Sequence, residues 1–141
     1  MVVAKGLFMH IAQCRCGSLT ATCAGDPVRV SVCHCLECQR RSGSAFAAQV
    51  RFPETAVTIA GPATLYRHRS DSGRTASFHF CPTCGVTIAY RNDEIEELQG
   101  LIAIPLGAFA DPRFPEPVYS VYEARKHPWV AIVGERIEHY D

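Results

Sequence analysis

Three thiols fall within six residues at Cys33-His34-Cys35-Leu36-Glu37-Cys38. On a strand that runs into a turn, successive side chains point to opposite faces, so Cys33 and Cys35 share a face while His34 looks the other way. Cys38 is expected to return through a tight turn, as the second half of a Cys-x-x-Cys knuckle does. Three converging thiolates suit a soft, tetrahedral ion such as zinc and leave one coordination position unfilled. An open position distinguishes a zinc that does chemistry from one that only holds a fold.

Four further cysteines come in two pairs, Cys14 with Cys16 and Cys81 with Cys84. A structural zinc needs a closed set of four ligands, and two pairs from distant parts of the chain supply it. Two zinc ions per chain are therefore expected: one structural, at Cys14, Cys16, Cys81 and Cys84, and one catalytic, at Cys33, Cys35 and Cys38. The structural site would clip the N-terminal strands to the central hairpin, making its binding free energy part of the folding free energy. Cys23 stands alone among apolar and threonine neighbours, as a small buried core residue does. Were Cys23 or a histidine to close the second site, that site would be inert.

Other polar side chains near these groups have two readings each. His34 either positions a proton or a substrate, or is a half-exposed strand histidine facing away from the metal. His79, two residues before Cys81, is a candidate donor to the metal-bound sulfurs. Arg40 and Arg41 follow the three-thiol group directly; they either clamp a substrate carboxylate or offset the negative charge of the thiolates. His10, His68, His127 and His139 show no spacing pattern and are expected at the surface.

The elements that must position these groups read as strands and turns. Leu7 to Gln13, Ser18 to Ala24 and Val28 to Cys33 are strands, the last alternating into the three-thiol group. Gln39 to Ser44 is a short helical turn or loop closed by glycine, and Ala45 to Phe52 is a strand stopped by Pro53. Ala56 to Ala60 and Thr64 to Arg69 flank Gly61-Pro62 as a hairpin, and Ser70 to Gly73 makes the next turn. Arg74 to Phe80 and Val86 to Tyr90 bracket the second Cys-x-x-Cys in a strand-knuckle-strand layout. Asp93, Glu94, Glu96 and Glu97 belong to a solvated loop or single helical turn. Leu101 to Leu106 is a strand placed at a sheet edge by Pro105, where a homodimer can form. An irregular segment from Gly107 to Pro117 precedes strands at Val118 to Glu123 and Trp129 to Val133, and the polar C-terminus packs through Ile137 and Tyr140.

The 141 residues suit a single domain, 1–141, of mainly β architecture with short helical turns. Net charge is zero, which gives no field towards nucleic acid or an anionic membrane; the one basic stretch is Arg67, His68, Arg69 and Arg74. The first 13 residues lack the apolar core and cleavage site of a secretion signal, and no window reaches the length of a membrane span. A cytoplasmic location is expected, where clustered cysteines bind metal rather than pair as disulfides.

The segments Cys14-Arg15-Cys16-Gly17, Cys33-His34-Cys35-Leu36-Glu37-Cys38-Gln39-Arg40-Arg41-Ser42-Gly43-Ser44 and Phe80-Cys81-Pro82-Thr83-Cys84-Gly85 together resemble the glutathione-dependent formaldehyde-activating enzyme family, which includes the centromere protein V domain. Gly107-Ala108-Phe109-Ala110-Asp111-Pro112 and His127-Pro128-Trp129 look like further landmarks, the first a looser version of the usual Gly-Thr-Leu-Asp-Asp-Pro. The resemblance implies a β-tent fold of stacked antiparallel sheets, with structural and catalytic zinc at the seven cysteines assigned above. It also implies an S-(hydroxymethyl)glutathione synthase-like activity, a carbon-sulfur lyase in the reverse direction, with glutathione or a glutathione adduct as partner and formaldehyde detoxification as the role. Two other readings stand beside it: a zinc-stabilised module binding protein or nucleic acid without catalysis, and a redox or metal-handling thiol protein.

Overall fold

The computed structural model describes residues 8–69, 74–92 and 95–141. The Ser70–Gly73 turn, Asp93 and Glu94 of the acidic run, and the start of the first strand at Leu7 lie outside the described residues. The chain is mainly β, as its short β-branched and aromatic runs predict. Three strands, β1 (Met9–Gln13), β2 (Thr20–Ala24) and β5 (Val57–Ala60), form a small antiparallel sheet in the order β1-β2-β5. The large sheet is built from β3 (Arg29–Cys33), β4 (Ala47–Pro53), β6 (Thr64–Arg69), β7 (Thr75–Phe80), β8 (Thr87–Asn92), β9 (Leu101–Pro105), β10 (Tyr119–Val121) and β11 (Glu138–His139). Its order is β11-β10-β3-β4-β9-β8-β7-β6, antiparallel except where β10 pairs in parallel with β3 and β11.

The core lies between the sheets. Ala12, Leu19, Ala21 and Cys23 on the small-sheet side meet Val30, Val50, Phe52, Ile88, Ile102 and Ile104 of the large sheet. Burying a side chain the size of Phe52 or Ile102 contributes about 1.5–3 kcal/mol, so this seam is the main source of cohesion between the sheets. Alternation then dictates what the opposite face carries. On β3 and β4 it presents Arg29, Ser31 and Cys33 against Arg51, Gln49 and Ala47, in direct cross-strand register. That polar face is the wall of the site.

Several expectations are corrected. The segments flanking Gly61-Pro62 are not a hairpin: β5 joins the small sheet and β6 the large one. Gly61 sits at φ +103, so close to the Ser18 carbonyl that a Cβ there would overlap it, and Pro62 offers no amide; the chain crosses between sheets instead of turning back. β9 is not an edge strand, because it lies between β4 and β8; Pro105 is only its last residue, opposite Gln49, so the edge expected to serve a homodimer does not exist. Trp129 to Val133 forms no strand, whereas Glu138–His139 does, held by the Glu138 amide to the Val118 carbonyl and the Tyr140 amide to the Ser120 carbonyl. His10 packs among the rings of Phe52, Phe109 and Phe114 rather than standing free at the surface.

Cys38 lies in a short helix, α1 (Leu36–Ser42), not in a bare turn. Cys35 is its N-cap, its sulfur accepting the Cys38 amide at 3.3 Å, and Gly43 closes it in the left-handed region at φ +70.

Candidate metal centres and substrate cavity

The four sulfurs of Cys14, Cys16, Cys81 and Cys84 lie within 4.8 Å of one another. The Cys14–Cys16 and Cys16–Cys81 separations are 3.6 and 3.7 Å. Tetrahedral bonds of about 2.3 Å place ligand sulfurs about 3.8 Å apart, so the set has the size zinc requires. Backbone amides of Leu19, Thr83 and Cys84 donate to these sulfurs at 3.3–3.4 Å. The Ser18 hydroxyl sits 3.0 Å from Cys16 and 3.3 Å from Cys81. The Ser18 hydroxyl and then the Cys84 amide hold the Cys81 thiol down to about 5, which favours the ligating thiolate. His79 makes none of these contacts: its Nδ1 is buried without a partner, and burial, then Arg91, hold its pKa below the usual histidine range. Ser18 fills the donor role expected of His79.

The sulfurs of Cys33, Cys35 and Cys38 form the second group within 4.8 Å. β3 delivers Cys33, the break between β3 and α1 presents Cys35, and the first turn of α1 brings Cys38 back. Hydrogen bonds from Cys33 and Cys38 depress the Cys35 thiol to about 2, while Cys33, Cys35 and burial push Cys38 up; Cys33 is raised to about 11, chiefly by Cys35. Three sulfurs this close compete for protons, and a cation would relieve that competition by displacing them. The donor chemistry fits zinc, and a set of three leaves a fourth position. Cys23 does not fill it: that thiol is fully buried on β2, and burial alone raises it to about 12.

The two groups differ in what they face. A cavity of about 710 Å³ is lined by Cys33, Cys35 and Cys38 and by none of the other cysteines. Arg40 and Arg41 of α1 line it too, with the Arg41 guanidinium 4.6 Å from the Tyr90 ring centroid and 5.8 Å from that of Phe78. His34 does not reach it. Its ring is fully buried on the other side of β3, Nε2 bonded to the Ser120 hydroxyl at 2.9 Å, and burial holds its pKa low; the half-exposed reading is corrected by this burial. The His34 amide donates to the Val121 carbonyl and its carbonyl accepts from Gln39, so the residue pins the bend between the first two thiols.

Residues with no signature in the sequence complete the cavity. His68, on β6, bonds Glu37 at 2.8 Å through Nε2 and faces the Tyr66 hydroxyl at 3.3 Å through Nδ1. Gln49 donates to Ser31 and accepts from the Tyr90 hydroxyl. Arg51 lies at 7 % exposure and, among the described residues, donates one hydrogen bond, to Asn92 at 3.4 Å. Tyr122 lines the cavity from a left-handed backbone at φ +58, unusual for a bulky residue. The one sequence cue for Arg51 was period-two polarity, Arg29-Ser31-Cys33 and Gln49-Arg51; nothing in the sequence pairs His68 with Glu37.

No helix among the described residues is long and apolar enough to cross a membrane. No curated protein matches the chain. Among solved structures, a crystal structure of a Rhodobacter sphaeroides protein is similar in fold, with a TM-score of 0.53 and 17% identity over 70% of this chain and 85% of that one. The sequence model of the glutathione-dependent formaldehyde-activating enzyme family matches residues 9–125, in keeping with the cysteine pattern, and by that match the chain belongs to this family.

Proposed function

We propose that the chain is a zinc-dependent enzyme of cytoplasmic type that joins glutathione to a small aldehyde and releases it again, an S-(hydroxymethyl)glutathione synthase-like carbon-sulfur lyase. The observation that carries the reading is the asymmetry of the two thiol groups: three cysteines with room for a fourth ligand line the cavity, while the four-cysteine set lies away from it. Zinc in the three-cysteine site would lower the pKa of an entering thiol and so supply a nucleophile at neutral pH.

The chain's own residues supply the rest. Arg40 and Arg41 attract one carboxylate of the tripeptide and orient it. The rings of Phe78, Tyr90 and Tyr66 line the cavity and keep water from the reacting atoms. When the thiol sulfur bonds to the aldehyde carbon, the carbonyl π pair moves to oxygen, and that oxygen takes a proton. His68, held by Glu37, is the one histidine lining the cavity and is suited to deliver it; the reverse reaction returns the proton and breaks the carbon-sulfur bond. His34 acts as a positioning residue for the thiols.

Thiols add to formaldehyde without a catalyst, so the test must read a rate above background. Magnetisation transfer between formaldehyde hydrate and S-hydroxymethylglutathione, measured with zinc-loaded protein, should be faster than in buffer and return to the buffer rate with Cys35→Ser. Equal rates for parent, variant and buffer would contradict the proposal. A non-catalytic module reading phosphates through the exposed Arg67 and Arg69 would instead show salt-dependent DNA binding.

A further inference from the structure

The cavity holds a charge that the chemistry at the thiols does not use. Arg51 is buried to 7 % exposure on β4, lines the cavity, and among the described residues has its Nη1 buried without a hydrogen-bond partner while Nη2 is bonded to Asn92. Directly across the ladder stands Arg29, its guanidinium over the Tyr119 ring at 4.9 Å. Like charges directly opposite each other in a sheet are destabilising, and a buried unpaired charge more so. Among the described residues the one acidic side chain lining the cavity is Glu37, which is bonded to His68. Cys33 and Cys38 act on Arg51 through charge alone and give its Nη1 no hydrogen-bond partner, which an anionic group reaching the floor would supply.

We propose that Arg51, with Arg29 opposite it, is an oxoanion clamp that binds a carboxylate of the substrate at the end of the cavity away from the three cysteines. The inference rests on the thiol-binding reading above and deepens it: the molecule taken is a thiol, or its aldehyde adduct, with a carboxylate held apart from its sulfur. Arg29 and Cys33 lie on one face of β3, four residues or about 13 Å apart along the strand. The thiol of glutathione is on its middle residue, so either carboxylate reaches less than the roughly 10 Å of a whole extended tripeptide from the sulfur, and the long arginine side chains cover the remainder. A planar carboxylate matches the forked edge of a guanidinium and would satisfy the unpartnered Nη1.

The test uses full-length, zinc-loaded protein, with calorimetric binding and thermal unfolding as readouts. Glutathione should bind the parent, bind Arg51→Met at least tenfold more weakly, and bind Arg51→Lys in between. Glutathione amidated at its glycine carboxylate, or esterified at its γ-glutamyl carboxylate, should lose the same factor on the parent for whichever carboxylate the clamp holds, and lose nothing further on Arg51→Met. Without ligand, Arg51→Met should unfold at the same or a higher temperature than the parent, which a purely structural arginine would not allow. If glutathione fails to bind but succinate raises the parent's unfolding temperature and not that of Arg51→Met, the clamp stands and the thiol reading falls. Undiminished glutathione affinity in Arg51→Met would overturn the clamp and leave the thiol reading intact. Protection by inorganic phosphate but not succinate would overturn the carboxylate assignment, and no response of the parent to any of these probes would overturn the clamp. Should Arg51→Met not fold, the less buried Arg29→Met gives the same comparison with a loss of about threefold.

Discussion

The sulfur of Cys35 accepts the backbone amide of Cys38 at 3.3 Å, so one thiol both belongs to the three-cysteine group and caps the helix that carries another member of it. A candidate metal ligand and helix initiation are thereby tied to one atom. Serine at this position keeps a cap acceptor while losing the soft ligand; alanine loses both. Each variant should lose one zinc per chain, and Cys35→Ala should be less stable than Cys35→Ser by about 1 kcal/mol in urea unfolding. Equal stabilities would mean that the amide contact contributes nothing.

His68 is the cavity's proton carrier in this account, held in place by Glu37. His68→Gln keeps much of the shape and removes the titrating ring. Its exchange rate should fall by roughly 10²-fold with glutathione affinity nearly unchanged, as expected of a group that acts on the developing alkoxide and not on the bound thiol. An equal loss in affinity would make His68 a binding residue instead.

Cys23 provides a pH signature separate from either metal centre. Burial raises its pKa to about 12 from the ordinary 9.0. As pH rises past 9.0 the unfolded chain loses this proton first, so the contribution to stability is complete below about 9 and is lost progressively up to about 12. Cys23→Ala should fall less steeply than the parent across that window, at a cost of about 1 kcal/mol near neutrality, measured by urea unfolding at a series of pH values. In the native protein Cys23 should also resist alkylation at pH 9.

Gly61 governs where the chain leaves one sheet for the other. Its φ of +103 and its closeness to the Ser18 carbonyl exclude a side chain, and the obstruction is backbone rather than a movable side-chain end. Gly61→Ala should cost roughly 2–4 kcal/mol, read as a lowered unfolding midpoint, with more loss than alanine placed at Gly107, where a Cβ meets nothing within 4 Å.

What the sequence discloses follows from which interactions are local. The cysteine spacing anticipates both thiol groups because ligand sets are built from short knuckles, and the structure brings together Cys14 with Cys81 and Cys33 with Cys38 as that spacing suggests. The alternation of Val28 to Cys33 and the run from Ala45 to Phe52 stopped by Pro53 both give strands, as read from the sequence. Partner choice between strands is not local. Gly61-Pro62 has the composition of a hairpin turn, yet the flanking strands enter different sheets, because the steric demand at Ser18 comes from a segment more than forty residues earlier. Pro105 suggested an edge, but a proline that ends a strand needs no ladder partner for its missing amide, and β9 sits inside the sheet. The His68–Glu37 pair forms only when β6 meets α1, and the Arg29–Arg51 opposition only when β3 and β4 take up their register, so the sequence pairs neither.

The most direct measurement of the central claim is the visible absorption of protein whose zinc has been replaced by cobalt, titrated with glutathione. The account predicts that glutathione shifts the cobalt bands of the parent, that S-methylglutathione does not, and that Cys35→Ser, retaining the four-cysteine site alone, shows no shift with either. A parent spectrum unchanged by saturating glutathione would contradict the account, because the three-cysteine group would then offer no position for a thiol to enter.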